Sequence, residues 1–242
     1  TRFDRVLDIA ATKKSIDWVS KLAEGKIIVT GRTWEDDHQI IGSVLAHWDQ
    51  LEQCNWIIAP HHVDAASIKA CRSHFTNAIC LSEWLTQSNT MEKPVVLIID
   101  QIGLLSQLYQ YADIAYIGGG FTKDGIHNVL EAAVFGKPVI WGPNDLKYPE
   151  AIGLRNAGGG IQILDASSLN GTINQLLNDA IYLDLGTLYF KTAQYEKCIK
   201  PLNVYLNEKK PTNAQNKFNA QNFLASAQFA MEAVKNPVPF QP

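Results

Sequence analysis

The stretch PVVLIID at 94–100 is apolar almost throughout. Strands of that kind are buried on both faces, the condition of a parallel sheet covered by helices. Similar segments recur along the chain: KIIVTG at 26–31, NWIIAP at 55–60, Ala78–Cys80, YADIAYI at 111–117, PVIWG at 138–142 and IQIL at 161–164. Between them lie segments of helical pattern. In RTWEDDHQIIGSVLAHWDQ the apolar residues Ile40, Ile41, Val44, Leu45 and Trp48 recur at helical spacing. DAASIKACRSHF, LLSQLYQYA, PNDLKYPEAIGLRN and ASSLNGTINQLLND supply further helices, and residues 1–25 lead helically into the first strand. Strand and helix alternate at least six times, which predicts an α/β fold with a doubly wound parallel sheet.

Ligands of such sheets bind outside the carboxyl ends of the strands. That directs attention to the loops Gly31–Trp34, Ala59–His62, Asp100–Gly103, Gly118–Asn128 and Gly142–Asn144. The most informative stretch is IGGGFTKDGIHNVLEAAVFGKPVIWGP at 117–143. A strand runs into Gly118, Gly119 and Gly120. Gly125 then precedes His127 and Asn128 at the mouth of a helix that ends at Gly136. Bare backbone and a helix N-terminus suit a phosphate. The spacing matches neither GxGxxG nor a Walker A loop.

Glu131 follows Asn128 by three residues, so both face the same mouth. A carboxylate there can accept two ribose hydroxyls, and it can equally be a plain helix-dipole charge. Asn128 can hold a phosphate or simply cap the helix. His61 and His62 can donate to an anion or bond within their loop. His38, His47 and His74 are expected on helix surfaces, and Glu35, Asp36 and Asp37 read as helix N-terminal charge.

The formal net charge of −3 and the 19% of charged residues give no nucleic-acid surface. Cys54, Cys71, Cys80 and Cys198 include no CxxC pair and read as reduced, buried thiols. No Cys/His/Asp cluster has metal-ligand spacing, so neither a metal nor any cofactor is expected. No apolar run reaches the roughly 18–20 residues that span a bilayer. Thr1 is not a start methionine, and the chain is expected to begin inside something longer.

From Ala180 the strand signals stop. A domain boundary is expected between residues 178 and 179, with a helical segment and a non-helical tail, NPVPFQP at 236–242, making up 179–242. YLDLGTLYFKTAQYEKCIKPLNVYLNEKKP resembles one tetratricopeptide repeat, with Cys198 where a small alanine is usual. One repeat cannot bury its apolar face alone, so the helix 216–234 is expected to cap it. The tail resembles the junction after the repeats in peptidoglycan-associated outer-membrane proteins of the OmpA-like class. A peptide partner on these helices is the matching expectation.

Within residues 1–178, TRFDRV, GRTWEDD, IIAPHHV, IDQIGLLSQLYQYADIAYIGGGF and GIHNVLEAAVFGKPVIWGP occur in that order. Together they resemble the C-terminal, nucleotide-sugar half of 3-deoxy-D-manno-octulosonic acid (Kdo) transferases. The resemblance implies one Rossmann-like half of a two-domain GT-B glycosyltransferase. It implies CMP-Kdo as donor substrate and a lipid A precursor as acceptor, in lipopolysaccharide core synthesis. It further implies a place in the cytoplasm or at the cytoplasmic face of the inner membrane. The implied donor site comprises Thr33, His61, His62, Gly103, Gly118, Gly119, Gly120, Gly125, His127, Asn128 and Glu131.

Three residues depart from the family pattern. Arg32 replaces a small serine and could add a phosphate contact or block one. His61 replaces an arginine and gives up a permanent bidentate donor. Asp124 puts in the glycine loop a negative charge that would need to point away from phosphate. The acceptor domain and acidic general base of the family precede the position matching Thr1. The 242 residues are therefore expected to bind donor with little or no transfer. The competing readings are a non-catalytic Rossmann and tetratricopeptide interaction protein, and a fragment of a UDP-sugar enzyme of the same fold.

Overall fold

The computed structural model describes residues 2–12, 15–22, 25–48, 54–87, 95–177, 195–208 and 214–235. The chain divides into two compact units, Thr1–Thr172 and Ile173–Pro242.

The first unit is built on seven parallel strands. They are β1 (Lys26–Thr33), β2 (Cys54–Pro60), β3 (Ile79–Cys80), β4 (Val96–Ile98), β5 (Ile114–Ile117), β6 (Val139–Trp141) and β7 (Gly160–Gln162). Their order across the sheet is β3-β4-β2-β1-β5-β6-β7. From β1 the chain first moves outward through β2, then returns to the other side of β1 with β5. Right-handed crossovers in the two directions place helices on opposite faces, so the sheet is doubly wound, as in a Rossmann-like GT-B half. The β1–β5 boundary is the topological switch point.

The helices are α1 (Arg2–Ala11), α2 (Glu35–Leu45), α3 (Ala65–Ser73), α4 (Leu81–Thr86), α5 (Leu105–Leu108), α6 (Leu130–Ala133), α7 (Pro149–Asn156) and α8 (166–177). A 3₁₀ turn, Asp17–Leu22, separates α1 from β1, so the expected N-terminal helix is broken in two. LLSQLYQYA likewise gives only α5 and a 3₁₀ turn at Tyr109–Tyr111. Tyr109 is buried there, and the Tyr111 hydroxyl accepts from the Ile16 N–H at 2.9 Å. Tertiary packing of aromatic residues has overridden helix extension.

Every residue of β2 is buried, and β4 and β5 are buried throughout. Val29, Ile57, Leu97, Ala115, Val139 and Trp141 from five strands join one core cluster. β4 is shorter than its apolar run, but Trp56 N–H to Val95 O and Ile99 N–H to Ile58 O, both 2.8 Å, extend the pairing at either end.

In the second unit, α9 (Tyr195–Asn203) continues in wider π-type turns to Glu208, and α10 spans Ala214–Lys235. Cys198, Leu202, Tyr205, Ala220 and Ala227 form its small core. Most of the repeat-like segment, 182–194, lies outside the described residues. All four cysteines are buried free thiols. Among the described residues no helix is long and apolar enough to cross a membrane.

Candidate functional site

The carboxyl end of β1 carries an irregularity that shapes everything around it. Gly31 pairs with Ala59 and Thr33 with Pro60, so Arg32 is an extra residue in the ladder. Arg32 adopts a left-handed φ of 54°, which costs a side-chain-bearing residue about 1–2 kcal/mol. Such bulges re-aim side chains. Here the Arg32 side chain is exposed while Thr33 turns inward and is buried.

Thr33 is a tie-point. Its Oγ1 lies 2.9 Å from His38 Nε2, and its carbonyl accepts the His61 N–H at 2.9 Å. His38 is therefore no surface residue: it is 5% exposed, and burial, then the neighbouring His74, lower its pKa to about 4. His74 sits outside it and contacts Glu35 Oε1 at 2.7 Å.

Asp37 corrects a second expectation. Glu35 and Asp36 are exposed at the start of α2, but Asp37 is fully buried. Its carboxylate accepts from Trp34 N–H at 2.8 Å, Gly119 N–H at 2.9 Å and the Tyr116 hydroxyl at 2.6 Å. Burial pushes its pKa up, against the pull of those three donors. The spacing could have found both residues. Asp37 and His38 precede Ile41, Val44 and Leu45 on one helical stripe, and all five are buried.

The glycines close the sheet end rather than open it. Gly118, Gly119 and Gly120 are buried. A Cβ on Gly118 would fall 2.4 Å from the Arg32 carbonyl oxygen, and one on Gly120 2.5 Å from Gly142 N. The Gly118 N–H donates to Gly31 O at 2.8 Å and the Gly119 N–H to Asp37. These two donors of the expected backbone cradle already have internal partners. Gly125, with φ of 85°, is packed under Tyr148. The helix expected to run to Gly136 is only the single turn α6, too short for an appreciable macrodipole. Asn128 caps it, Oδ1 accepting from Leu130 N–H at 3.1 Å, while Nδ2 lies 3.5 Å from Glu131 Oε1.

Three nearly parallel rings bridge the loops. Trp34 stacks on His61 at 4.3 Å, and His61 on His127 at 4.8 Å. His62 meets His61 edge-on at 4.7 Å. The Trp34 indole N–H donates to His127 Nε2 at 3.1 Å. Burial, then His61 and Arg32, lower the His127 pKa to about 4. Burial, His62 and Arg32 lower that of His61 as well. His127 is therefore neutral at pH 7, and because Nε2 accepts from the indole its proton is assigned to Nδ1.

These rings stand between two clefts. One, of about 170 Å³, is lined by Thr33, Trp34, His38, His61, His62 and Cys71 among others. The other, of about 310 Å³, is lined by Arg32, Ile126, His127, Asn128, Glu131, Tyr148 and Glu150. Six of the expected site residues are thus shared between the two clefts, Thr33, His61 and His62 in one and His127, Asn128 and Glu131 in the other, while Gly118, Gly119, Gly120 and Gly125 line neither. Gly103 is exposed with φ of 92° and lines neither. Asp124 also lines neither, and its carbonyl accepts from the Tyr148 hydroxyl at 2.6 Å. Trp34, Tyr148 and Glu150 are additions that single-residue reasoning missed. Among the described residues, no group of three or more His, Cys, Asp or Glu could hold a metal ion.

No family model matches the chain. A 3-deoxy-D-manno-octulosonic acid transferase of Rickettsia typhi is 29% identical over 193 residues, 77% of this chain and 40% of that protein. The enzyme of that name from Aquifex aeolicus is 36% identical over 164 residues, 64% of this chain and 43% of that protein. The chain is similar to Kdo transferases. It spans about two fifths of the length of these relatives. The fold agrees. The C-terminal CMP-Kdo binding domain of WaaA from Acinetobacter baumannii superposes with a TM-score of 0.55 at 14% identity, covering 92% of this chain and 97% of that domain. The Kdo-transferase likeness rests on the sequence relatives, and the superposition shows a shared fold.

Proposed function

We propose that this chain is the donor-binding half of a Kdo transferase and binds CMP-Kdo at the β1–β5 switch point. One observation carries the reading. The larger cleft, at the carboxyl ends of those two strands, gathers His127, Asn128 and Glu131 into one wall. Glu131 is partly buried, and its Oε1 lies near the Asn128 amide, which orients the carboxylate to accept ribose hydroxyls. His127, neutral with its proton on Nδ1, is a hydrogen-bond donor that carries no charge. His61 and His62 extend the wall into the neighbouring cleft.

In this reading the activity served is transfer of Kdo to a lipid A precursor, in lipopolysaccharide core synthesis at the cytoplasmic face of the inner membrane. The 242 residues alone bind donor without transferring it. Sugar transfer needs a base beside the acceptor hydroxyl as well as a bound donor. The helices of the second unit, α9 and α10, would offer a docking surface for a peptide.

Calorimetric titration of the purified chain with CMP and with UDP-N-acetylglucosamine tests the reading. Saturable CMP binding, tighter than UDP-sugar binding, supports it. Preference for the UDP-sugar would make the chain a different glycosyltransferase half, and binding of neither would leave the interaction-protein reading.

A further inference from the structure

We infer that Arg32 is the anion-holding residue of the larger cleft, set there by the β1 bulge to take the phosphate of a CMP-type donor. The inference rests on the donor reading above and adds to it a residue and the ligand group it holds.

The backbone supplies the first argument. Among the described residues only Arg32 and Asn77 combine a side chain with a left-handed φ, 54° and 60°. Asparagine enters that region readily, whereas arginine does so only where the surroundings hold it. The surroundings here are specific. The Arg32 carbonyl abuts Gly118 closely enough that a Cβ there would fall 2.4 Å away. The flanking Gly31 and Thr33 remain paired to β2. The bulge thus holds one cation at the switch point, where the sheet topology places ligands.

The second argument is what surrounds the guanidinium. Arg32 is exposed, and it forms no ion pair among the described residues although Glu131 and Glu150 line the same cleft. Those carboxylates repel an anion, so an anionic ligand needs a permanent positive charge to offset them. Among the described residues Arg32 is the one cation lining the cleft. The other polar groups, the Asn128 amide included, supply no positive charge. His127 is neutral, the Tyr148 hydroxyl donates to Asp124 O, and the Gly118 and Gly119 N–H groups have internal partners. A planar guanidinium offers paired donors that match phosphate oxygens, which a neutral histidine lacks.

The test compares CMP with cytidine, which differs only by the phosphate, on the full chain and on Arg32→Ala and Arg32→Gly. Both variants keep an unbulky bulge residue, and glycine accepts the left-handed φ without strain. The expected result is a 10- to 100-fold loss of CMP affinity in both variants, the size of a charged hydrogen-bonded contact, with cytidine affinity changed less than about twofold. Equal losses for CMP and cytidine would show that Arg32 merely shapes the bulge, and a CMP affinity unchanged in both variants would show that the phosphate lies elsewhere; either overturns the assignment. If the unmodified chain binds neither nucleotide, the donor reading fails separately. Arg32 is then judged with pyrophosphate as probe, by whether the thermal stabilisation it gives the unmodified chain disappears in Arg32→Ala. A stabilisation that persists, or its absence from the unmodified chain, rejects the anion site.

Discussion

The Asp37 carboxylate accepts the Gly119 backbone N–H at 2.9 Å, binding the first turn of α2 to the loop after β5. The same side chain holds Trp34 and Tyr116, so one buried carboxylate sets the positions of both loops at the switch point. The stack of Trp34 on His61 and the approach of His127 both depend on it.

Asp37→Ala leaves the Tyr116 hydroxyl and the Gly119 N–H buried without an acceptor. At about 1–3 kcal/mol for each such group, a loss of about 3–5 kcal/mol is expected in urea unfolding. Asp37→Asn keeps one oxygen acceptor and should fall between. A loss under about 1 kcal/mol for Asp37→Ala would mean that the two loops are held otherwise.

His38 and His127 make folding depend on pH. Their folded-state pKa values of about 4 lie below the ordinary 6.5, so between those values the unfolded chain binds more protons. Their contribution is complete above pH 6.5 and is lost as pH falls towards 4. Buried His38 accounts for up to about 3 kcal/mol, and the less buried His127 for less. Unfolding free energies measured from pH 7.5 to 4.5 should decline, and His38→Gln should flatten the decline. An identical slope in the variant would contradict the buried, neutral assignment.

Trp34→Phe removes the indole donor to His127 Nε2 and keeps a ring against His61. Nitrogen-15 imidazole spectra should show His127 protonated at Nδ1 in the unmodified chain and a mixture of tautomers in the variant. An Nε2-protonated His127 in the unmodified chain would remove the geometric basis for its role.

Glu131→Ala is expected to weaken CMP about 10- to 100-fold, as for a hydrogen bond to a charged group. If the ribose hydroxyls are its partners, 2′-deoxy-CMP should bind the unmodified chain correspondingly less well and lose little further affinity in the variant. Additive losses in that cycle would place Glu131 away from the ribose.

The sheet was legible because its strands are buried on both faces and leave unbroken apolar runs, as PVVLIID and NWIIAP do. The loops at the carboxyl ends of the strands followed from the alternation alone. Less legible was which polar residues face inward. His38 and Asp37 sit on the apolar stripe of α2, yet by residue type they resembled surface charge. The glycine run misled for a related reason. Sequence shows that backbone can come close at Gly118–Gly120 but not to what; within the fold Gly118 abuts Arg32 and Thr33, Gly119 abuts Gly125, and Gly120 abuts Gly142. The division of the site into two clefts depends on the ring stack of Trp34, His61 and His127, three residues from three separate loops. No local pattern encodes that contact.

Hydrogen exchange of the full chain with and without saturating CMP tests the central claim most directly, because it reports both binding and place. Slowed exchange is expected in peptides covering residues 31–38 and 126–131, with little change in α9 and α10. CMP-dependent protection elsewhere, or none at saturating CMP, would contradict a donor site at the β1–β5 switch point.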